Sequence, residues 1–162
     1  VYLVSLFGCF IAIAGMFQRS VTFLVSVMAI VWVADIGAYF AGRAFGRHKL
    51  APAISPGKTW EGVAGGWLAV LVLAGLSTQW PALSESFAPA LQVRFGWPLW
   101  VLLMSLLVAA SVVGDLFESL MKRRAGVKDS SSLLPGHGGV LDRIDALVPV
   151  MPLAFLITTR MA

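Results

Sequence analysis

Charge is scarce in this chain: Asp, Glu, Lys and Arg make up only 12% of its 162 residues, against about 25% in an ordinary soluble domain. Cysteine is almost missing. Cys9 stands alone in an apolar run, which excludes an intrachain disulfide framework and any thiolate-rich metal site. No G-x-x-x-x-G-K-[ST] stretch occurs, so a Walker-type phosphate loop is excluded. The longest polar tract, 122–142, is too short to form a soluble domain, and there is neither an internal repeat nor a low-complexity segment.

Apolar sequence fills the space instead, with 59% hydrophobic residues. Several runs approach or exceed the ~20 residues that cross a bilayer. Five spans are read at roughly 1–17, 20–41, 61–79, 98–121 and 143–161. The expected fold is therefore an all-α polytopic transmembrane helix bundle, one membrane-embedded region over 1–162 with the lipid bilayer as its solvent. The chain starts at Val1 inside an apolar segment with no initiator Met, so a fragment lacking upstream helices is expected, not a signal peptide. The formal charge of +4 is explained by loops facing the cytoplasm, without a nucleic-acid partner.

Loop charge orients the bundle. Loop 42–60 carries Arg43, Arg47, Lys49 and Lys58, and segment 122–142 carries Lys122, Arg123, Arg124 and Lys128, with Arg143 just beyond. The alternate loops carry only Arg19 and Arg94. The positive-inside rule places the two basic loops in the cytoplasm. Asp35 precedes Arg43 by eight residues and Asp115 precedes Lys122 by seven, about 12 and 10 Å along a helix, so the two carboxylates share a depth. Asp142 and Asp145 enter the last span from the same side, and Glu118 shares a helix face with Asp115. A carboxylate at membrane depth costs ~2.5–3.5 kcal/mol on insertion scales and usually marks function. The plainer reading is interhelical salt bridging, for example Asp35 to Arg43 or Asp142 to Lys122.

Carboxylates without paired His or Cys ligands suit a hard cation, Mg²⁺ before Zn²⁺, bound through one or two carboxylates and substrate phosphates. Lysines and arginines nearby suit phosphate oxygens. "GHGG", Gly136 to Gly139, offers N–H groups that a phosphate can approach closely. Together these imply a cytoplasm-facing pocket for a metal–polyphosphate ligand. Taken singly, each element has a plainer reading. The Gly run is a turn, His137 a structural hydrogen-bonder, and Lys122-Arg123-Arg124 a topogenic anchor. Trp60, Trp97 and Trp100 are interfacial belt residues, while Asp142 and Asp145 complement a helix N-terminus.

The stretch "SLMKRRAGVKDSSSLLPGHGGVLDRID", 119–145, resembles the signature of the phosphatidate cytidylyltransferases (CDP-diacylglycerol synthases). That signature runs S-x-x-K-R, four residues, K-D, a spacer, then P-x-H-G-G-x-x-D-R-x-D. "ADIGAYFAGRAFGRHKLAPAISPGKTWEG" (34–62) and "GDLFESLMKR" (114–123) are also similar to that family. The family usually has a lysine where this chain has Gly57, so that charge is either dispensable or supplied by Arg47 or Lys49. Family members normally carry further N-terminal helices.

The resemblance implies that CTP and phosphatidic acid give CDP-diacylglycerol and pyrophosphate with Mg²⁺, a second cation being left open. It implies Asp115 and Asp142 as metal ligands, with Asp145 and Glu118 supporting them. Lys122, Arg123, Lys128 and Arg143 would hold phosphates, and His137 the leaving pyrophosphate. Asp129 is counted with the catalytic set. Ser55, Lys58, Thr59, Glu118, Ser119, Gly138 and Gly139 are expected at the substrates, and Asp35 is as readily structural as functional. The expected location is a bacterial inner membrane, and a homodimer is left open. The rival enzyme is a CTP-dependent lipid kinase of the polyprenol or phytol type. A cation channel would string its carboxylates across the full bilayer, whereas here they gather at one side.

Overall fold

The computed structural model describes residues 2–127, 130–131, 139 and 141–160. Six helices and one small hairpin follow in order: α1 (Tyr2–Arg19), α2 (Val21–Phe45), β1 (Lys49–Ala51), β2 (Ser55–Thr59), α3 (Trp60–Ser77), α4 (Phe87–Arg124), α5 (Leu141–Ile144) and α6 (Leu147–Thr159). A single 3₁₀ turn, Pro81–Leu83, precedes α4. Helices α2, α3 and α4 are long and apolar enough to cross a membrane, while α6 and residues Val4–Arg19 of α1 are apolar but shorter. The protein is an all-α membrane bundle, its apolar outer residues facing lipid tails as readily as they would a core.

Side chains from α2 and α4 dominate the centre, with α6 behind them. Phe23, Val27, Met104, Leu107 and Met151 are fully buried. Helices α2 and α3 run closest together, because glycines line the seam. A Cβ on Gly66 would strike the Ala34 carbonyl oxygen, and one on Gly37 would meet the Gly66 Cα at 3.1 Å. Small residues that let backbones approach are the usual device where lipid supplies no hydrophobic drive between helices.

Two elements differ from the sequence expectation. Residues 80–97 were expected to form a loop, yet helix starts at Phe87 and continues past a kink at Gly96, whose φ is 73° and ψ 171°. Gly96 and Pro98 do break the regular helix, but the arm before them still buries Phe87 and Leu91. Three contacts fix this arm: the Phe87 N–H donates to Ser26 Oγ at 2.9 Å, Trp100 Nε1 donates to the Ala88 carbonyl at 2.9 Å, and the Phe23 and Phe87 rings meet edge-on at 5.5 Å. Trp100 is thus a buried strut and not a belt residue. The second difference lies in 42–60, where an irregular loop was expected. An antiparallel hairpin forms instead, pairing Lys49 with Thr59 and Ala51 with Ser55.

Between α3 and α4, Trp67 Nε1 donates to Ser105 Oγ at 2.8 Å. Such bonds within membrane spans average about 0.6 kcal/mol and reach about 1.7 kcal/mol. Ser105→Ala is expected to destabilise the protein within that range, measured by reversible unfolding in mixed detergent.

Candidate active site

The polar residues gather at the end of the bundle where α2 finishes, the hairpin folds and α4 closes. On α4, Asp115, Glu118, Ser119 and Lys122 follow at i, i+3, i+4 and i+7 and so occupy one face. Ser119 Oγ donates to Asp115 Oδ1 at 3.3 Å. The other oxygen of Asp115 is ion-paired with Lys58 Nζ, brought in from β2. Gly114 sets the approach of the following segment: a Cβ there would meet the Asp145 carbonyl oxygen at 2.7 Å.

Lys122 Nζ bridges Glu118 Oε2 at 3.0 Å and Asp142 Oδ1 at 2.8 Å. Asp142 Oδ2 also accepts the Gly139 N–H at 2.6 Å, and the Ser130 N–H and hydroxyl at 3.0 Å each. Partial desolvation pushes the Asp142 carboxyl upward, but the Lys122, Gly139 and Ser130 hydrogen bonds outweigh it and hold the group well below the usual carboxylate range. Asp142 therefore stays ionised and draws 130–131, 139 and α5 toward α4. Of the two pairings the plainer reading considered, Asp142–Lys122 is made; Arg43 donates instead to the Tyr39 hydroxyl at 3.0 Å.

Glu118 is 4% exposed, and among the described residues its oxygens receive no well-aligned hydrogen bond. It is held by the Lys122 ion pair, which it shares with Asp142. This crowding of oxygen ligands fits a hard cation. No three acidic, His or Cys residues form a complete metal cage among the described residues, and Mg²⁺ characteristically takes one or two carboxylates and completes its shell with water and phosphate.

A cavity of about 460 Å³ opens beside this cluster, between α2, α3, α4 and β2. Asp35, Arg43, Lys58 and Asp115 supply its charged lining, and Ala38, Val63, Val108 and Val112 its apolar lining. A second cavity, of about 470 Å³, lies toward the other end between Val21, Val25, Leu73 and Leu83, with no charged side chain in its lining.

The expected site residues fall into groups. Asp115, Glu118, Ser119, Lys122, Asp142 and Asp145 come together as the sequence suggested, and Lys58 joins them. Gly139 is there as a backbone donor to Asp142. Arg123 reaches the hairpin, donating from Nε to the Ile54 carbonyl at 3.4 Å. Thr59 is buried and lines the cavity, and its hydroxyl caps α3 by accepting the Gly62 N–H at 3.1 Å. Ser55 pairs with Ala51 in the hairpin, and Arg143 sits on α5. Lys128, Asp129, His137 and Gly138 lie outside the described residues. Sequence reasoning missed Tyr39 and Arg43 as cavity residues, although Asp35, Tyr39 and Arg43 repeat at four-residue steps on one helical face. It also missed Glu61, which accepts the Arg47 and His48 N–H groups at 3.2 Å each and pairs with His48 Nδ1 at 2.6 Å, fixing the root of the hairpin.

The fold and this site define an integral membrane helical protein with a carboxylate–lysine centre at one end, beside a cavity part polar and part apolar. The profile of the cytidylyltransferase family matches residues 1–161, and the chain belongs to that family. It is 52% identical over 129 residues to the phosphatidate cytidylyltransferase of Haemophilus influenzae, covering 80% of this chain and 43% of that protein. Against the enzyme of that name from Pseudomonas aeruginosa it is also 52% identical over 129 residues, covering 80% and 44%. With the Bacillus subtilis phosphatidate cytidylyltransferase it shares 38% over 157 residues, covering 97% and 55%. The chain spans about half the length of the curated relatives it matches.

Proposed function

We propose that the protein transfers the cytidylyl group of CTP to phosphatidic acid, forming CDP-diacylglycerol and releasing pyrophosphate. The observation that carries this reading is the Lys58–Asp115 pair in a cavity lined partly by charged and partly by apolar side chains. A reaction between a water-soluble triphosphate and a lipid phosphate needs such a junction of charged and greasy surface. The names of the relatives point the same way.

In the reaction, an oxygen of the lipid phosphate bonds to the α-phosphorus of CTP. The bond to the bridging α–β oxygen breaks, and its electron pair leaves with pyrophosphate. The nucleophile is already an anion at neutral pH, so no general base is needed. Positioning and charge neutralisation supply most of the acceleration in phosphoryl-type transfer. Bound Mg²⁺ would neutralise triphosphate charge, with Asp115 and Asp142 as its protein ligands. Lys58 and Arg43 would meet phosphate oxygens from the α2–hairpin side. Lys122 would keep Asp142 and Glu118 in place across the gap between α4 and α5. Glu118 and Asp145 would orient the groups that touch the cation. The density of Lys and Arg at this end supports a cytoplasmic orientation, and the relatives' bacterial sources support the inner membrane.

The position of a label tests the reaction. With CTP labelled in the cytidine, the lipid product is expected to carry the label; with γ-labelled CTP, it is expected to carry none. Label entering lipid from γ-labelled CTP alone would replace this reading with a CTP-dependent lipid kinase.

A further inference from the structure

The hairpin has one firmly fixed end and one lightly held end. At its root, Glu61 gathers the Arg47 and His48 N–H groups and the His48 ring, the Trp60 N–H donates to the His48 carbonyl at 3.0 Å, and Thr59 is buried. Beyond the root, the contacts to α4 among the described residues are the Lys58–Asp115 ion pair, beside Thr59 on β2, and the long 3.4 Å bond from Arg123 to the Ile54 carbonyl in the turn. A two-stranded ribbon by itself is marginally stable in water, so these two contacts help to hold β2 and the turn against α4. Pro56 and Gly57 are exposed, and a Cβ on Gly57 would meet nothing within 4 Å.

The two lysines of the site are held very differently. Lys122 is 19% exposed and joins two carboxylates that are 5% and 12% exposed. Lys58 and Asp115 are 25% and 29% exposed, and Lys58 has Asp115 as its ion-pair partner. Water and ions reach the second pair more readily, which lowers the cost of exchanging partners. Both oxygens of Asp115 already have a donor, Lys58 on one and Ser119 on the other. A divalent cation bound to Asp115 therefore competes with Lys58 for the same carboxylate. An ammonium in contact with the same carboxylate as a divalent cation is repelled by it, most strongly in the poorly solvated wall of a cavity.

We propose that Lys58 is the displaceable counter-ion of Asp115. A divalent cation binding there turns Lys58 out, loosens β2 from α4 and hands the ammonium to the phosphates of the incoming nucleotide. This rests on the reading of Asp115 as a cation ligand. The exchange makes cation and nucleotide bind cooperatively. Without nucleotide, the cation must break the ion pair and leave Lys58 without a partner. With nucleotide present, Lys58 regains a negative partner as it leaves. By linkage, nucleotide affinity rises by the same factor when the cation is bound.

Mn²⁺ serves as the probe, its binding to the purified protein read by electron paramagnetic resonance. Lys58→Met is expected to bind Mn²⁺ without nucleotide about tenfold more tightly than the parent protein, toward the low end of known couplings between sites. It is also expected to lose most of the mutual enhancement between Mn²⁺ and CTP. Equal Mn²⁺ affinity in the two proteins would overturn the exchange. Asp115→Asn separates the layers: Mn²⁺ binding that this change leaves untouched would overturn the cation reading of Asp115, and the exchange with it. A second measurement leaves Lys58 in place. A spin label on Gly57→Cys, in a Cys9→Ala background, is expected to become more mobile when Mg²⁺ is added without nucleotide. Unchanged mobility would overturn the proposal.

Discussion

Asp115→Asn is expected to lower cytidylyl transfer by about 10²–10³-fold, the scale seen when one element of transition-state charge stabilisation is removed. The substitution keeps the shape of the side chain and its bond from Ser119. It removes the charge that pairs with Lys58 and would hold a cation. The fold should barely respond, because Lys58 is a quarter exposed and can turn to water, and ion pairs at such positions contribute little to stability. The check is an initial-rate assay with CTP and phosphatidic acid alongside thermal unfolding of both proteins. A variant that melts with the parent but turns over at least a hundredfold more slowly agrees with the account. Comparable rates would remove Asp115 from the reaction.

The largest expected effect on stability is at the α2–α3 seam. Gly66→Val would drive a branched side chain into the Ala34 carbonyl and within 3.3 Å of the Ala38 Cβ. Overpacking of this kind costs about 1–3 kcal/mol or more, and here backbone on the facing helix leaves little to rearrange. Asp35 follows Ala34, and both line the 460 Å³ cavity, so separating α2 from α3 should also depress activity. Gly57→Val provides the contrast, since no atom lies within 4 Å of its Cβ direction. In detergent, the Gly66 variant should unfold well below the parent and the Gly57 variant close to it. Equal melting of all three would mean that the seam is looser than its geometry indicates.

These contrasts separate what sequence pattern reveals from what it hides. The spans read at 20–41 and 61–79 correspond closely to α2 and α3, because long apolar runs bounded by Arg, Gly and Pro leave little choice in a bilayer. The arm from Phe87 to Gly96 was hidden by Gly96 and Pro98, which mark a kink here instead of a helix start. The hairpin was hidden because "KLAPAISPGKT" lacks the alternating pattern of a half-buried strand. Its strands are held by pairing, by the Glu61 clamp and by contacts to α4.

The site was legible where residues share one helix. Asp115, Glu118, Ser119 and Lys122 declare a common face by spacing alone. The link from Lys122 to Asp142 could be anticipated as one salt bridge among several. The link from Lys58 to Asp115 could not, because it depends on how the hairpin leans on α4 and spans 57 positions of sequence. Thr59, expected at substrate from its place in the basic loop, lines the cavity, and it also caps α3, a role that a Thr just before a helix could have announced.

The central claim is that the nucleotide binds in the cavity between α2, α3, α4 and the hairpin. Photolabelling the purified protein with a photoreactive CTP analogue in the presence of Mg²⁺, followed by mapping of the modified peptides, tests this most directly. The account predicts adducts within 34–66 and 108–115, competed away by CTP and lost when Mg²⁺ is removed. Adducts confined to α1 and α6, or to the uncharged cavity near Val25 and Leu83, would contradict it.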